Sequence, residues 1–157
     1  MSTVYRLLRR PYAKTPFDGE GSYRYGGRWS SPGTRVAYTS EHLSLAMIEY
    51  FVHIPISDPP ADLVVAAAMV PADLKRIRLR TGDLPSGWRR SPAPAALARF
   101  GDEFIAAGRA ALLLVPSALA PDEFNLLLNP LHPGFARIRK FRPTPFAYDP
   151  RFFPGTK

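Results

Sequence analysis

The spacing of apolar residues changes along the chain, and the changes divide it into elements. Val4 to Leu8 reads as an opening strand, and Leu63 to Val70 (LVVAAAMV) is an uninterrupted apolar run whose length and β-branched content suit a buried strand. Val36 to Thr39, Ile77 to Leu79, Ala111 to Val115, Phe124 to Leu128 and Arg137 to Phe141 read as further short strands. After Ser40 the period lengthens. Leu43, Ala46, Met47, Tyr50 and Phe51 recur at i, i+3, i+4, i+7 and i+8, which predicts a helix capped by Ser40 and ended by Pro55. One or two short helices are expected between Ala95 and Ala107. Between the first two strands lies a Gly-rich loop, Pro11 to Gly33, and a loop that long inside a compact domain is usually functional. Strands and helices do not alternate regularly, which favours a mixed α+β domain over a doubly wound parallel sheet.

Composition narrows the class. The 157 residues suit one domain spanning 1–157, and 46% hydrophobic with 22% charged residues is ordinary for a globular chain despite 18 prolines. No cysteine is present, so disulfides, thiolate nucleophiles and cysteine-held metal sites are excluded and an oxidising compartment has no support. No apolar run approaches the length of a membrane helix. Arg6, Arg9 and Arg10 stand where a signal peptide needs its apolar stretch, so a cytoplasmic location is expected.

The net charge of +8 first suggests nucleic acid. It is not clustered, however. Residues 1–40, 75–110 and 135–157 each carry a surplus of +5, while 41–74 holds five carboxylates and 111–134 two, with no Lys or Arg in either. The clearest helix carries no basic residue, which counts against a DNA-reading element. Arginine outnumbers lysine 17 to 4, which fits planar recognition of phosphate or carboxylate and equally fits a compositional bias visible in PAPAALAR.

Two stretches could carry chemistry. In residues 21–50, GSYRYGGRWSSPGTRVAYTSEHLSLAMIEY, a glycine loop presents Arg28, a strand presents Tyr38 and the helix presents Glu49. Glu49 falls about 120° from the apolar centre of that helix, on a flank with His42, Leu45 and His53. Such a carboxylate suits a cleft, or else a surface ion pair with an arginine. His42 and His53 are too far apart along a helix to share an ion and HExxH is missing, so no metal is expected. Neither GxSxG, a P-loop nor a GxGxxG fingerprint occurs. In the second stretch, ALLLVPSALAPDEFNLLLNPLHPGF (111–135), prolines hold Ser117 and Asn129 at strand ends. Ser117 is either a nucleophile needing a base such as His132 or a turn hydroxyl bonded to backbone. Trp29 and Trp88 are either platforms for a flat ring or core anchors.

GGRWSSPG, AYTSEHLSLAMIEY and VPSALAPDEFNLLLNPLHPGF, in this order, resemble the RES-domain family, named for Arg, Glu and Ser, and the likeness runs from Tyr5–Leu7 through LPSGW to FAYDPRF. The resemblance implies a fold similar to the ADP-ribosyltransferases of the diphtheria-toxin type and an NAD-consuming toxin. It implies that Arg28, Glu49, Tyr38 and Ser117 are catalytic, and that Arg6, Arg28, Tyr38, Ser40, Ser117 and Asn129 bind the dinucleotide. It further implies a separate Xre-like helix-turn-helix antitoxin as partner, with room for a toxin homodimer in the complex and no direct nucleic-acid contact. Ser30, Phe104 and Leu126 stand where that pattern commonly has Asn, Trp and Tyr. NAD, the expected substrate, carries an anionic pyrophosphate and a cationic leaving group, so arginines for the one and a carboxylate facing the sugar cation are the residues needed. Inorganic phosphate is the expected co-substrate, giving ADP-ribose 1″-phosphate. The alternatives are transfer to a protein, hydrolysis by water, or a non-enzymatic basic module that binds nucleic acid or an acidic partner.

Overall fold

The computed structural model describes residues 1–155. Its eleven regular elements, in chain order, are β1 (Ser2–Arg9), α1 (Glu20–Tyr25), β2 (Ala37–Ser40), α2 (Leu43–Phe51), β3 (Leu63–Val70), β4 (Arg76–Arg78), α3 (Ala98–Ala107), β5 (Leu112–Pro116), β6 (Phe124–Leu128), β7 (Arg139–Lys140) and β8 (Thr144–Pro145). They build one mixed sheet in the order β4-β5-β6-β2-β1-β3-β7, with β8 also paired to β3. Among the described residues only the β4–β5 pair is parallel. The expected α+β class is borne out, and β3 and β6 keep the bounds read from the apolar pattern.

The sheet is covered on both faces because its central strands are apolar on both. In β5 and β6 the consecutive pairs Leu112–Leu113 and Leu127–Leu128 are all buried. One residue of each pair joins a core with Val4, Leu8, Phe17, Val64, Ala66 and Ala68, and the other joins a core with Trp29, Leu97 and Phe104. Each fully buried leucine removes enough apolar surface to contribute about 2 kcal/mol. No helix among the described residues is long and apolar enough to cross a membrane.

One feature of the pairing positions the site. β1 is registered to β3 along eight residues but to β2 only at Tyr5–Ser40. The sheet therefore parts beyond that pair, with Arg6 on one bank and Tyr38 on the other.

The loop from Pro11 to Gly33 is not structureless, as its glycines suggested. It contains α1, and Ser22 sits at its centre: its Oγ lies within hydrogen-bonding distance of the carbonyls of Gly19, Thr34 and Val36 and accepts from the Val36 amide. Glu20 pairs with Arg24 one turn on and with Arg35 across the loop. A six-residue helix with such partners has no periodic signature of its own.

Candidate active site

Glu49 lies near the end of α2 and is half-buried. The buried residues of this helix are Leu45 and Ala46, four and three positions before Glu49. The side of the helix that the pattern made a flank is thus the side that packs inward, and Ser44 and Ile48 are its exposed positions. The N-cap differs too. Ser40 ends β2, and His42 occupies the cap position without a side-chain capping bond. An aromatic cluster of Phe51, Phe146, Tyr148, Phe152 and Phe153 fastens the helix. Tyr148 Oη donates to the Met47 carbonyl at 2.6 Å, and burial, with Tyr50 adding to it, pushes this phenol up to about 12.

The carboxylate is held through a single oxygen. Glu49 Oε1 accepts from Ser117 Oγ at 2.6 Å and from Asn125 Nδ2 at 2.7 Å. Ser117 is wholly buried, and its Oγ also accepts from the amides of Leu119 and Ala120. Of the two sequence readings of Ser117 the structure shows the turn hydroxyl bonded to backbone, and its one proton is directed at Glu49 rather than at His132.

Arg28 comes from the loop after α1. Its Nη1 donates to the carbonyls of Trp88 at 2.8 Å and Arg90 at 2.9 Å. Burial lowers its guanidinium from the ordinary value, opposed by the nearby Glu49 and Tyr38. Tyr38 shapes this loop: its hydroxyl accepts from the Trp29 amide at 3.2 Å and bonds Ser30 Oγ at 2.8 Å. Burial raises the phenol, against the opposing effect of those two bonds. Gly27 is required by this contact, since a Cβ there would lie 2.7 Å from the Tyr38 hydroxyl. From the other side Asp102 of α3 accepts from the Ser31 amide and hydroxyl, at 2.9 and 2.6 Å. Burial raises the Asp102 carboxyl, but those bonds and one from Thr34 outweigh it, so it sits below the ordinary carboxylate range.

Tyr38→Phe leaves the Trp29 amide and Ser30 hydroxyl without their partner. The expected result is a loss of about 1–3 kcal/mol in a denaturant melt. An unchanged midpoint would mean that the loop is held by its other bonds alone.

Arg6 is half-buried beside the split. Burial lowers its guanidinium, and the groups that oppose this are Asp18, Tyr50 and Tyr38. Gly21 of α1 faces it, a Cβ there lying 4.0 Å from Arg6 Nη2. Tyr38 thus feels both guanidiniums, that of Arg6 on β1 and that of Arg28 on the loop, and Glu49 of α2 acts on Arg28. Sequence reading missed Asn125, Tyr50 and Asp18. The signal for Asn125 was its place as a polar residue one step inside an apolar strand.

Other expected residues fall elsewhere or act from within. Ser40, Ser117 and Asn129 are at most 4% exposed, so none presents a free surface to a ligand. Ser40 Oγ donates to Asn125 Oδ1 at 2.7 Å. Asn129 follows the opposite end of β6, where its Oδ1 accepts from the Leu131 amide; the asparagine on Glu49 is Asn125. His132 is not turned to Ser117: its Nδ1 accepts from the Gly134 amide. Trp29 is buried and packs on Trp88 at 6.3 Å, which makes the pair an anchor of the second core. The ligand atoms of Glu41, His42 and Glu123 lie within 4.8 Å of one another, a grouping that sequence spacing did not foresee. Glu41 Oε1 is already bonded by the Phe124 amide, so the group reads as a partly exposed polar cluster.

Three comparisons bear on this arrangement. The family model described as "RES domain" matches residues 3–149. A Yersinia enterocolitica protein named "Toxin Res" is 38% identical over 149 residues, covering 94% of this chain and 97% of that protein. A Sphingobium protein named "Prs ADP-ribosylating toxin" is 35% identical over 144 residues, covering 90% and 89%. Among solved structures, a chain of the Mycobacterium tuberculosis MbcT–MbcA toxin–antitoxin complex superposes with a TM-score of 0.73 at 18% identity, over 93% of this chain and 84% of that one. The likeness extends to the whole fold.

Proposed function

The chain belongs to the RES domain family, and on that premise we propose that it is a cytoplasmic NAD-consuming toxin, one domain that cleaves the bond between nicotinamide and ribose. The observation that carries the reading is the Glu49 carboxylate, fixed through Oε1 by Ser117 and Asn125. Expelling nicotinamide needs no general acid, because the electron pair of the C1″–N1 bond neutralises the pyridinium ring as it leaves. What the site must supply is anionic stabilisation of the sugar cation and cationic anchoring of the pyrophosphate. Glu49 supplies the first, and Arg6 and Arg28 the second. Tyr38 keeps the Arg28 loop in place, and Ser117 keeps the carboxylate in place.

Inorganic phosphate is the proposed acceptor: an oxygen of the hydrogen-phosphate dianion forms the new bond to C1″, giving ADP-ribose 1″-phosphate and neutral nicotinamide. Transfer to a protein is the second reading, favoured by the name of the Sphingobium relative. The toxin–antitoxin origin of the similar structure supports a partner antitoxin, and the proposed type is an Xre-like helix-turn-helix protein. The arginine surplus in 75–110 and 135–157 is proposed to face it.

Incubation with NAD labelled in the adenylate moiety tests the reading. Phosphate-dependent release of nicotinamide with all label soluble is the expected result. Label retained on protein selects transfer instead. Intact NAD together with steeply salt-dependent DNA binding would overturn both in favour of a binding module.

A further inference from the structure

We propose that Asn125 is a positioning residue that commits Glu49 Oε1 to the protein and leaves Oε2 to face the ribose of the substrate; the inference rests on the role given to Glu49 above. The direction of every hydrogen bond in this network is determined by its neighbours. Ser117 Oγ accepts from the amides of Leu119 and Ala120 at 3.1 and 3.0 Å, so its single proton goes to Glu49. A side-chain amide oxygen only accepts, so the Ser40 hydroxyl donates to Asn125 Oδ1. With Oδ1 taken in this way, the Asn125 amide nitrogen is the group presented to Glu49, and it donates to Oε1.

The backbone gives this relay little freedom. Asn125 stands on β6 directly opposite Ser40 of β2 on one side and Val115 of β5 on the other. Ser117 follows the end of β5, its amide bonded to the Glu123 carbonyl at the start of the returning strand. Three strands thus hold two donors against one carboxylate oxygen. Glu49 itself comes from α2, so the relay also ties the helix to the sheet. A carboxylate fastened at both oxygens would have neither for the substrate, and one fastened at neither would rotate. Holding one oxygen with two donors fixes the plane of the group while keeping the other available, which is the preorganisation that charge stabilisation in a transition state requires.

Asn125→Asp tests the idea, because it keeps the shape and replaces the donor by an acceptor. The expected result is a fall in kcat for nicotinamide release of about 10²-fold with KM for NAD within about threefold of the parent. In a Glu49→Gln background the same change should give less than about a twofold further loss, since it acts through Glu49. Ser40→Ala removes the donor that orients the amide and should lower kcat about tenfold. Parental kcat in a folded Asn125→Asp protein overturns the proposal. If Asn125→Asp does not fold, the Ser40→Ala protein decides, and parental kcat there overturns it equally. A parental protein that leaves NAD intact fails the functional reading itself, and is thereby distinguished from a failure of Asn125 alone.

Discussion

Glu49→Gln is expected to fold as the parent does and to release nicotinamide about 10³-fold more slowly. Both donors on this side chain, Ser117 Oγ and Asn125 Nδ2, converge on one oxygen. Glutamine can present its carbonyl oxygen at that position and keep both bonds, placing its amide nitrogen where Oε2 stood. What it cannot keep is the negative charge. A group whose charge is needed only as the sugar cation develops affects kcat far more than ground-state binding, and losses of 10²–10³-fold are typical for a single preorganised electrostatic contact. A melting temperature close to the parent's combined with that loss places the charge at the reacting centre. Release of nicotinamide at the parental rate would remove Glu49 from the mechanism.

Gly101→Ala is expected to have the largest effect on stability of any single methyl addition considered. Gly101 is buried in α3, and a Cβ at this position would lie 1.9 Å from the Trp29 carbonyl oxygen and 3.0 Å from its carbon. The obstacle is backbone, so no side chain can rotate away. Either α3 moves or the Arg28 loop does, and in both cases the bonds from Ser31 to Asp102 one residue on are strained. Overpacking of this kind costs about 3 kcal/mol or more, equivalent to a fall in Tm of about 6–12 °C for a chain of this size. Nicotinamide release should fall as well, because Arg28 precedes Trp29 in the displaced segment. Gly82→Ala is the control: no atom lies within 4 Å of a Cβ there, and its Tm should stay within about 1 °C. Equal melting temperatures for the two variants would show that the loop and α3 do not pack backbone to backbone.

Strand by strand, the apolar pattern was a good guide where burial was one-sided or complete. From Val64 onward β3 alternates between buried and half-buried residues with period two, as a strand with one more deeply buried face does. α2 was harder. Its apolar residues ring most of the helix, so the pattern centred on Leu43, Met47 and Tyr50 although Leu45 and Ala46 are the buried positions. The error of roughly one residue in facing is what moved Glu49 from an inward position to a flank. α1 escaped because six residues including a glycine carry no usable period.

The sequence by itself determined the kind of chemistry available. With no cysteine and no nucleotide-binding loop of a known spacing, carboxylate, hydroxyl and guanidinium were the groups left, and the resemblance to the RES-domain family pointed to Arg28, Glu49 and Ser117, which lie on a loop, on a helix and just past a strand end. Tertiary structure decided what each of them does. Ser117 stands 68 residues from Glu49 and Asn125 76; only the pairing of β6 between β2 and β5 brings them to one oxygen. Asn129, with the same side chain and four residues further along, is carried by that pairing to the far end of the strand. A local pattern reports which face of an element is apolar. Which polar groups meet there depends on strand register, and register is a property of contacts that are distant in the chain.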